Sequence, residues 1–450
     1  MDKLDLRIEP VELSPILTCE IGEKVNQHAR ATVSGFVKGE DHALLSQLYH
    51  KEFTIRLGLE DGSERYLFRG IAEEAEIREE GGVKRLTVKA ASHTAKLDIE
   101  KNLRVFQDTE KTCQVVTDYI ISRYKKKIGV IYEPKARETV RQELIVQYRE
   151  TDWAFLKRLA AKLGLVLVAD HHNAYPCFYF GLPDREWIDL GDHLDYQVSY
   201  PGHRKEDAGY EVQYGELLDL CAKVRFLGRR LRIYQKRVLL SGGALTCSYT
   251  LRREEGFRQE PYENEGLIGC SLTGKVRSVE HDVVRIRMDC EDIRGSNSKA
   301  YPYATVYSSP DGTGWYCMPE EGDTVRLYFP DVDADDAYVA SAVHLGVVDD
   351  KRRDPEKKSI RTIHDKEVRF TPDQICITNH KGMWILLDDE KGIQIKSKKQ
   401  IALTATDGIS LTSGGPILVE GEDGIILKEN ENSLLIRDGI RQNGMDIQFK

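Results

Sequence analysis

The chain has 450 residues, 40% of them hydrophobic and 31% charged, and its 74 acidic against 65 basic residues give a formal net charge of −9. That length supports several domains of ordinary soluble composition, and the negative balance disfavours general nucleic-acid binding. The start, Met1-Asp2-Lys3-Leu4-Asp5, has no apolar h-region, and the run 163–169 is too short to span a bilayer, so cytoplasmic synthesis without a signal peptide is expected. The nine cysteines are odd in number and scattered, without a Cys-x-x-Cys spacing, which predicts buried thiols in a reducing compartment.

The first hundred residues read as antiparallel sheet. Phe53, Ile55, Leu57 and Leu59 alternate before an Asp61-Gly62 turn into Tyr66 and Phe68, and Gly81-Gly82 opens a hairpin into Leu86, Val88 and Ala90. Two helices interrupt this pattern. The first covers about 112–124, with Val115, Val116, Tyr119 and Ile120 on one face and Lys125, Lys126 and Lys127 beyond its end. The second starts at Thr151 as N-cap, presents Phe155, Leu156, Leu159, Ala160 and Leu163 on one face, and stops at Gly164. A hairpin over 165–180, turning at His171-His172-Asn173, leads into further strands up to about residue 250, including 223–226 and 232–240.

Residues 266–344 read as a separate all-β unit. Val284, Ile286 and Met288 alternate, as do Val325, Leu327 and Phe329 after a Gly322-Asp323 turn, and the strand density suits a small barrel of the oligonucleotide/oligosaccharide-binding (OB) type. The charge-dense stretch 349–358, with Pro355, reads as a connector.

Six consecutive octapeptides follow, each with an apolar pair at its first and third positions: Ile385/Leu387, Ile393/Ile395, Ile401/Leu403, Ile409/Leu411, Ile417/Val419 and Ile425/Leu427. Lys391-Gly392, Asp407-Gly408, Gly415-Pro416 and Asp423-Gly424 supply corners, and Lys399-Gln400 is a weak one. A strand with only two inward apolar side chains cannot bury them alone, so the array needs stacked neighbours along an axis. Eight residues cover one face and one corner, so three chains can each supply one face of a triangular prism that advances roughly 5 Å per octad. A one-chain solenoid and an antiparallel meander of short hairpins are the alternatives.

Two other stretches stand out: Tyr148-Arg149-Glu150-Thr151-Asp152-Trp153-Ala154-Phe155-Leu156-Lys157-Arg158-Leu159-Ala160, and Pro310-Asp311-Gly312-Thr313-Gly314-Trp315-Tyr316-Cys317-Met318-Pro319 continuing through Gly322-Asp323 to Tyr328-Phe329-Pro330. In this order, with octads behind them, they resemble the valine-glycine-repeat (VgrG) spike proteins of type VI secretion and the hub and spike proteins of contractile phage tails. Those join a phage late control D-like hub to a baseplate V-like spike.

The resemblance implies a mainly β homotrimer. Its parts would be a first hub β-barrel over 1–100, a helical insert over 101–164, a second hub β-barrel and neck over 165–263, an OB-fold collar over 264–346, a connector over 347–374, and an intertwined triple-stranded β-helix over 375–450. Trp153, Phe155, Leu156 and Leu159 would lie on the hub helix. Trp315, Met318, Pro319, Val325, Leu327 and Phe329 would belong to the collar, and the twelve octad residues to the core of the trimer shaft. Paired hub barrels would form a pseudo-sixfold ring that adapts a sixfold tube to a threefold spike.

The implied function is that of a hub and membrane-puncturing spike of a contractile injection system. The implied partners are the inner tube protein, baseplate proteins, a PAAR-like tip cap and effector cargo at the C-terminal end, and the target envelope on firing. Two departures from the family pattern matter. Leu, Ile or Val occupies the third octad position where glycine is frequent in the family, which predicts a wider shaft, and residues 441–450 lack the His-x-His pair of metal-bearing tips.

No catalytic residue, metal ligand or cofactor is expected. The stretch 344–372 is too short for a fused hydrolase. Asp331 to Asp336 resembles the start of an EF-hand loop but lacks the sixth-position glycine and has Ala342 at the bidentate position, so it reads as an acidic turn. His171-His172, with no cysteine or third histidine nearby, read as turn residues, and Gly228-Arg229-Arg230-Leu231-Arg232 as a hairpin or subunit contact. The competing function is a tail-associated glycan-binding or glycan-cleaving β-helix. Such a protein would display aromatic platforms, whereas Trp384 is the only Trp, Tyr or Phe between Pro372 and Gln448.

Overall fold

The computed structural model describes residues 5–49, 51–59, 62–108, 111–124, 128–137, 144–173, 175, 177–200, 204–290, 299–344 and 352–443. The expectations for Asp61, for Lys125 to Lys127, for 349–351 and for the tail beyond 443 lie outside the described residues. The chain divides into two compact units, Met1–Leu345 and Gly346–Lys450.

The first unit opens with β1 (Leu6–Glu9), β2 (Ile16–Lys24), β3 (Arg30–Val37), α1 (Asp41–Leu48), β4 (Glu52–Gly58), β5 (Glu64–Glu80) and β6 (Val83–Ser92). Alternation along β4 buries Phe53, Ile55 and Leu57, and Gly81 and Gly82 make the β5–β6 turn at φ of 60° and 82°, left-handed geometry that suits glycine. Helix α1 escapes the periodicity reading because it buries only one i,i+4 pair, Leu44 and Leu48. Glu40 caps it, its carboxylate accepting from the His42 and Ala43 N–H groups at 3.1 and 2.7 Å.

Next come β7 (Lys101–Phe106), α2 (Cys113–Ser122), β8 (Gly129–Tyr132), β9 (Ile145–Thr151), α3 (Asp152–Lys162), β10 (Leu167–Asp170) and β11 (Cys177–Phe180). Helix α2 lies where expected, but its buried face is Cys113, Val116, Thr117 and Ile120, while Val115 is exposed and Tyr119 half-buried. The stripe is rotated because Thr117 can sit inside, its hydroxyl donating to the Cys113 carbonyl at 2.7 Å. Helix α3 follows the sequence closely: Thr151 accepts from the Ala154 N–H at 3.2 Å, and Gly164 at φ 66° ends it.

The next strands are β12 (Trp187–Asp189), β13 (Tyr196–Ser199), β14 (Gly209–Gln213), β15 (Lys223–Phe226), β16 (Arg229–Ser241) and β17 (Ala244–Arg252). The two β-rich stretches expected as distinct barrels share a single twelve-stranded sheet, with the path β1-β4-β5-β6-β3-β2-β16-β17-β14-β13 and with β15 beside β16 and β12 beside β15. The joint is antiparallel β2–β16, where Cys19 faces Leu240 and Ile21 faces Val238. All four side chains are buried in one core that continues through Val33, Phe68, Phe226 and Leu251. Separate sheets would leave two unpaired edges with apolar faces. The basic run from Gly228 to Arg232 is indeed a hairpin, β15–β16.

Helices α2 and α3 and the three-stranded sheet β10-β11-β8 enclose a second core that includes Trp153, Phe155, Leu156, Val116, Ile120 and Phe178. At its margin Asp152 is fully buried. Its carboxylate accepts from Tyr124 Oη at 2.6 Å, Gln147 Nε2 at 2.8 Å, Asn102 Nδ2 at 3.1 Å and the Arg104 guanidinium.

β18 (Ser271–Glu280), β19 (Val283–Met288), β20 (Ala300–Pro302), β21 (Thr324–Tyr328) and β22 (Tyr338–Ala342) form a five-stranded antiparallel sheet ordered β20-β19-β18-β21-β22. A parallel bridge from Tyr303 to Val339 links its two edges. This sheet is distinct from the twelve-stranded one but does not close its core alone. Val105, Leu144 and Val146 complete its core, and Gln107 Nε2 donates to the Ile286 carbonyl at 3.1 Å.

The second unit contains an antiparallel meander of β23 (Lys358–Arg361), β24 (Glu367–Phe370), β25 (Gln374–Thr378), β26 (Trp384–Asp388) and β27 (Gly392–Lys396). A second meander comprises β28 (Ile425–Glu429), β29 (Asn432–Ile436) and β30 (Ile440–Asn443). The expected connector therefore holds two strands. The apolar pairs Val368/Phe370 of β24 and Ile375/Ile377 of β25 fall out of the eight-residue frame, so a strict period stops short of them.

Replacing Asp152 with alanine would remove a buried carboxylate that accepts from Tyr124, Gln147, Asn102 and Arg104 at once, and a loss of about 3–5 kcal/mol is expected. Urea unfolding of the full chain, followed by tryptophan emission, checks this.

Candidate functional site

The registers across β23 to β27 set apolar side chains in two rows on one face. One row runs Ile360, Val368, Ile377, Ile385 and Ile395, and the other Phe370, Ile375, Leu387 and Ile393. Apart from Val368, which is half-buried, every member is exposed, Ile393 at 74%. A groove of about 570 Å³ on this sheet is lined by Val368, Ile377, Ile385, Ile395, Met383 and Trp384 among others. Apolar patches of this extent usually mark an interface.

The first two octads pair as an antiparallel hairpin in the single chain, Ile385 opposite Ile395 and Leu387 opposite Ile393, which is the meander arrangement. From 397 to 424 there is no strand at all. Ile401, Leu403, Ile409, Leu411, Ile417 and Val419 are exposed there, Leu403 at 69% and Leu411 at 70%. Corner glycines nevertheless take positive φ, 74° at Gly392 and 113° at Gly424, where a side chain would be strained. Ile425 is half-buried and Leu427 exposed, on a strand paired with β29.

Of the collar residues, Val325, Leu327, Phe329 and Pro319 are buried, Met318 packs at the edge of that core, and Trp315 is 59% exposed. The hub-helix residues Trp153, Phe155, Leu156 and Leu159 are all buried, and Trp153 Nε1 donates to the Asn26 carbonyl at 3.3 Å. These are packing residues. The acidic turn at 331–336 has internal partners: Asp333 accepts from the Asp335 N–H at 2.9 Å, and Asp335 accepts from the Leu144 N–H at 3.1 Å and pairs with Lys299.

Among the described residues the only three-member group of potential metal ligands is Glu23, His171 and His172, whose ligand atoms lie within 4.8 Å of one another. Lys236 Nζ stands 2.8 Å from Glu23 Oε1, and both side chains are buried. Although burial opposes it, Lys236 and His171 hold the Glu23 carboxyl well below the usual range. Burial pushes His171 down, whereas for His172 the contact with Glu23 outweighs burial and moves it up. Sequence reasoning reached the histidines but not Glu23 or Lys236. The signal was nonetheless there: each is a charge in the inward phase of an apolar strand, after Cys19 and Ile21 and before Val238 and Leu240.

Against known proteins, the phage tail baseplate hub (GPD) family matches residues 22–176. That match and the sheet-and-helix hub agree. The chain has a VgrG-like hub fold. Among solved structures it is similar to the E. coli c3393 protein, described as a type VI secretion component with structural similarity to phage T4 tail proteins gp27 and gp5, at 15% identity, TM-score 0.55, and coverage of 76% of this chain and all of that one. It is also similar to the Francisella PdpA-VgrG complex in its half-lidded form, at 11% identity and TM-score 0.54, covering 88% of each chain. The lidless form of that complex gives 10% identity and TM-score 0.53. No curated protein matches.

The cysteine environments give a test of the VgrG-like hub and collar. Burial pushes the Cys19, Cys113 and Cys221 thiols up to about 12, while Cys317 is exposed beside Trp315 and Tyr316. In the native protein a disulfide-exchange reagent should label Cys317 in the fast phase and Cys19, Cys113 and Cys221 only after denaturation. Cys317→Ser should remove that fast phase.

Proposed function

We propose that the chain is the trimeric, non-enzymatic hub and spike of a contractile injection device. Residues 1–345 form hub and collar, and the octads from three copies wind into a shaft. The observation that carries this is the state of the octads in a single chain: apolar pairs exposed, corners already formed, and no ladder from 397 to 424. Backbone N–H and C=O groups beside exposed Ile and Leu call for strands from elsewhere, and identical chains offer identical pairs at the same height.

In this reading the five-stranded unit at 271–342 is an OB-type collar, and the hub contacts the inner tube and baseplate proteins. The C-terminal end carries a tip cap or effector cargo, in line with a VgrG relative solved together with PdpA. The particle type is left open by these features, which phage tails and secretion systems share.

Changing Ile409 and Leu411 together to aspartate would place two carboxylates per chain inside the shaft. Desolvation without partners would oppose closure. Sedimentation of the variant should show loss of the trimer or a protease-sensitive tail, whereas a trimer as compact and resistant as the parent would refute the shaft assignment.

A further inference from the structure

The Glu23 cluster belongs to the first unit and plays no part in the proposed assembly. His172 Nδ1 lies 3.1 Å from the Tyr66 carbonyl oxygen, an acceptor, so this nitrogen carries the proton. In the neutral ring the lone pair on Nε2 then faces Glu23 Oε2, 3.8 Å away. His171 Nε2 lies 3.5 Å from Glu23 Oε1, and neither nitrogen of this fully buried ring has a hydrogen-bond partner. The lone pair of a neutral His172 ring, directed at a carboxylate, repels it unless something positive sits between them. Two imidazoles and one carboxylate converging in this way form the donor set that zinc and its first-row neighbours take.

We propose that Glu23, His171 and His172 bind a divalent transition ion, with Zn2+ as the reference case. With bonds of about 2.0–2.2 Å to nitrogen and oxygen, adjacent ligands of a tetrahedral ion stand roughly 3.4 Å apart. His171 Nε2 approaches Glu23 Oε1 at 3.5 Å and His172 Nε2 approaches Oε2 at 3.8 Å, with the three ligand atoms within 4.8 Å of one another, so binding draws the side chains inward by small rotations. The surroundings hold the ligands in place. Tyr66 fixes the tautomer of His172, and Asp170 shapes the turn, its Oδ1 accepting from the His172 N–H at 3.0 Å and its Oδ2 from Asn173 Nδ2 at 2.6 Å. His172 is a quarter exposed, which gives the site a route to solvent.

Lys236 is the competitor. Its ammonium, 2.8 Å from Glu23 Oε1, is the cation that the carboxylate holds when no metal is bound. An incoming ion must share or displace it, so Lys236 weakens the site and its removal strengthens it. The metal would tie β2 to the β10–β11 turn, next to the β2–β16 joint of the hub sheet.

The test uses the full chain with Zn2+, read by competition with a chromophoric chelator and by thermal melting with and without EDTA. The parent is expected to bind one ion at a site that Glu23→Gln or the double change His171→Asn with His172→Asn weakens at least tenfold. Lys236→Met separates a metal site from a mere ion pair: it should bind Zn2+ at least tenfold more tightly than the parent, and Zn2+ should restore the melting temperature that the change costs. X-ray absorption of the Lys236→Met complex should show two imidazoles in the first shell, a readout that stands even where the ligand variants fold poorly. Absence of Zn2+ binding by both parent and Lys236→Met, or binding unchanged by the ligand substitutions, would overturn the proposal.

Discussion

A strand that turns only two apolar side chains to one side has nothing of its own to cover them. The second unit is built of such strands. Across β23 to β27 they lie side by side and extend the two apolar rows without burying them, and from 397 to 424 they do not pair at all. The hydrophobic contribution of these residues is therefore deferred to whatever closes over them, and at roughly 25 cal/mol per Å² it is large for so many Ile and Leu side chains. That deferral leaves the tail's apolar rows uncovered in a single chain, whereas the cores of the first unit are closed within it.

The first unit shows the opposite economy. Its sheet runs unbroken through β2 and β16, its helices pack on Trp153, Phe155 and Leu156, and the five-stranded sheet β18 to β22 takes Val105, Leu144 and Val146 to finish its interior. A force applied at the five-stranded sheet would therefore be passed on through a shared core instead of a flexible link. For a part proposed to sit between a tube and a spike, such a rigid joint is mechanically suitable.

Local signals made much of this legible. Helix α3 was readable because its cap, apolar face and terminating glycine agree, and the Gly81-Gly82 hairpin because turn chemistry and alternation agree. The β2–β16 joint was not readable, since nothing in a strand's own sequence says which strand will lie beside it, and these two are far apart along the chain. The face of α2 was misplaced because Thr117 is buried through a backbone hydrogen bond that periodicity does not register. The octads were visible from their spacing, but the same apolar rows begin earlier, at Val368 and Phe370, where the spacing slips. Glu23 and Lys236 were overlooked because an inward charge reads as noise until its partner is known.

The most direct test of the shaft is the solution mass, by light scattering, of the 51.3 kDa chain beside a version ending at His344. The account predicts a particle of three chains for the full protein, and for the shortened one a trimer that dissociates on dilution or none at all. A full-length chain that remains a monomer with a folded tail, or a shortened chain that holds three copies as tightly as the parent, would contradict it.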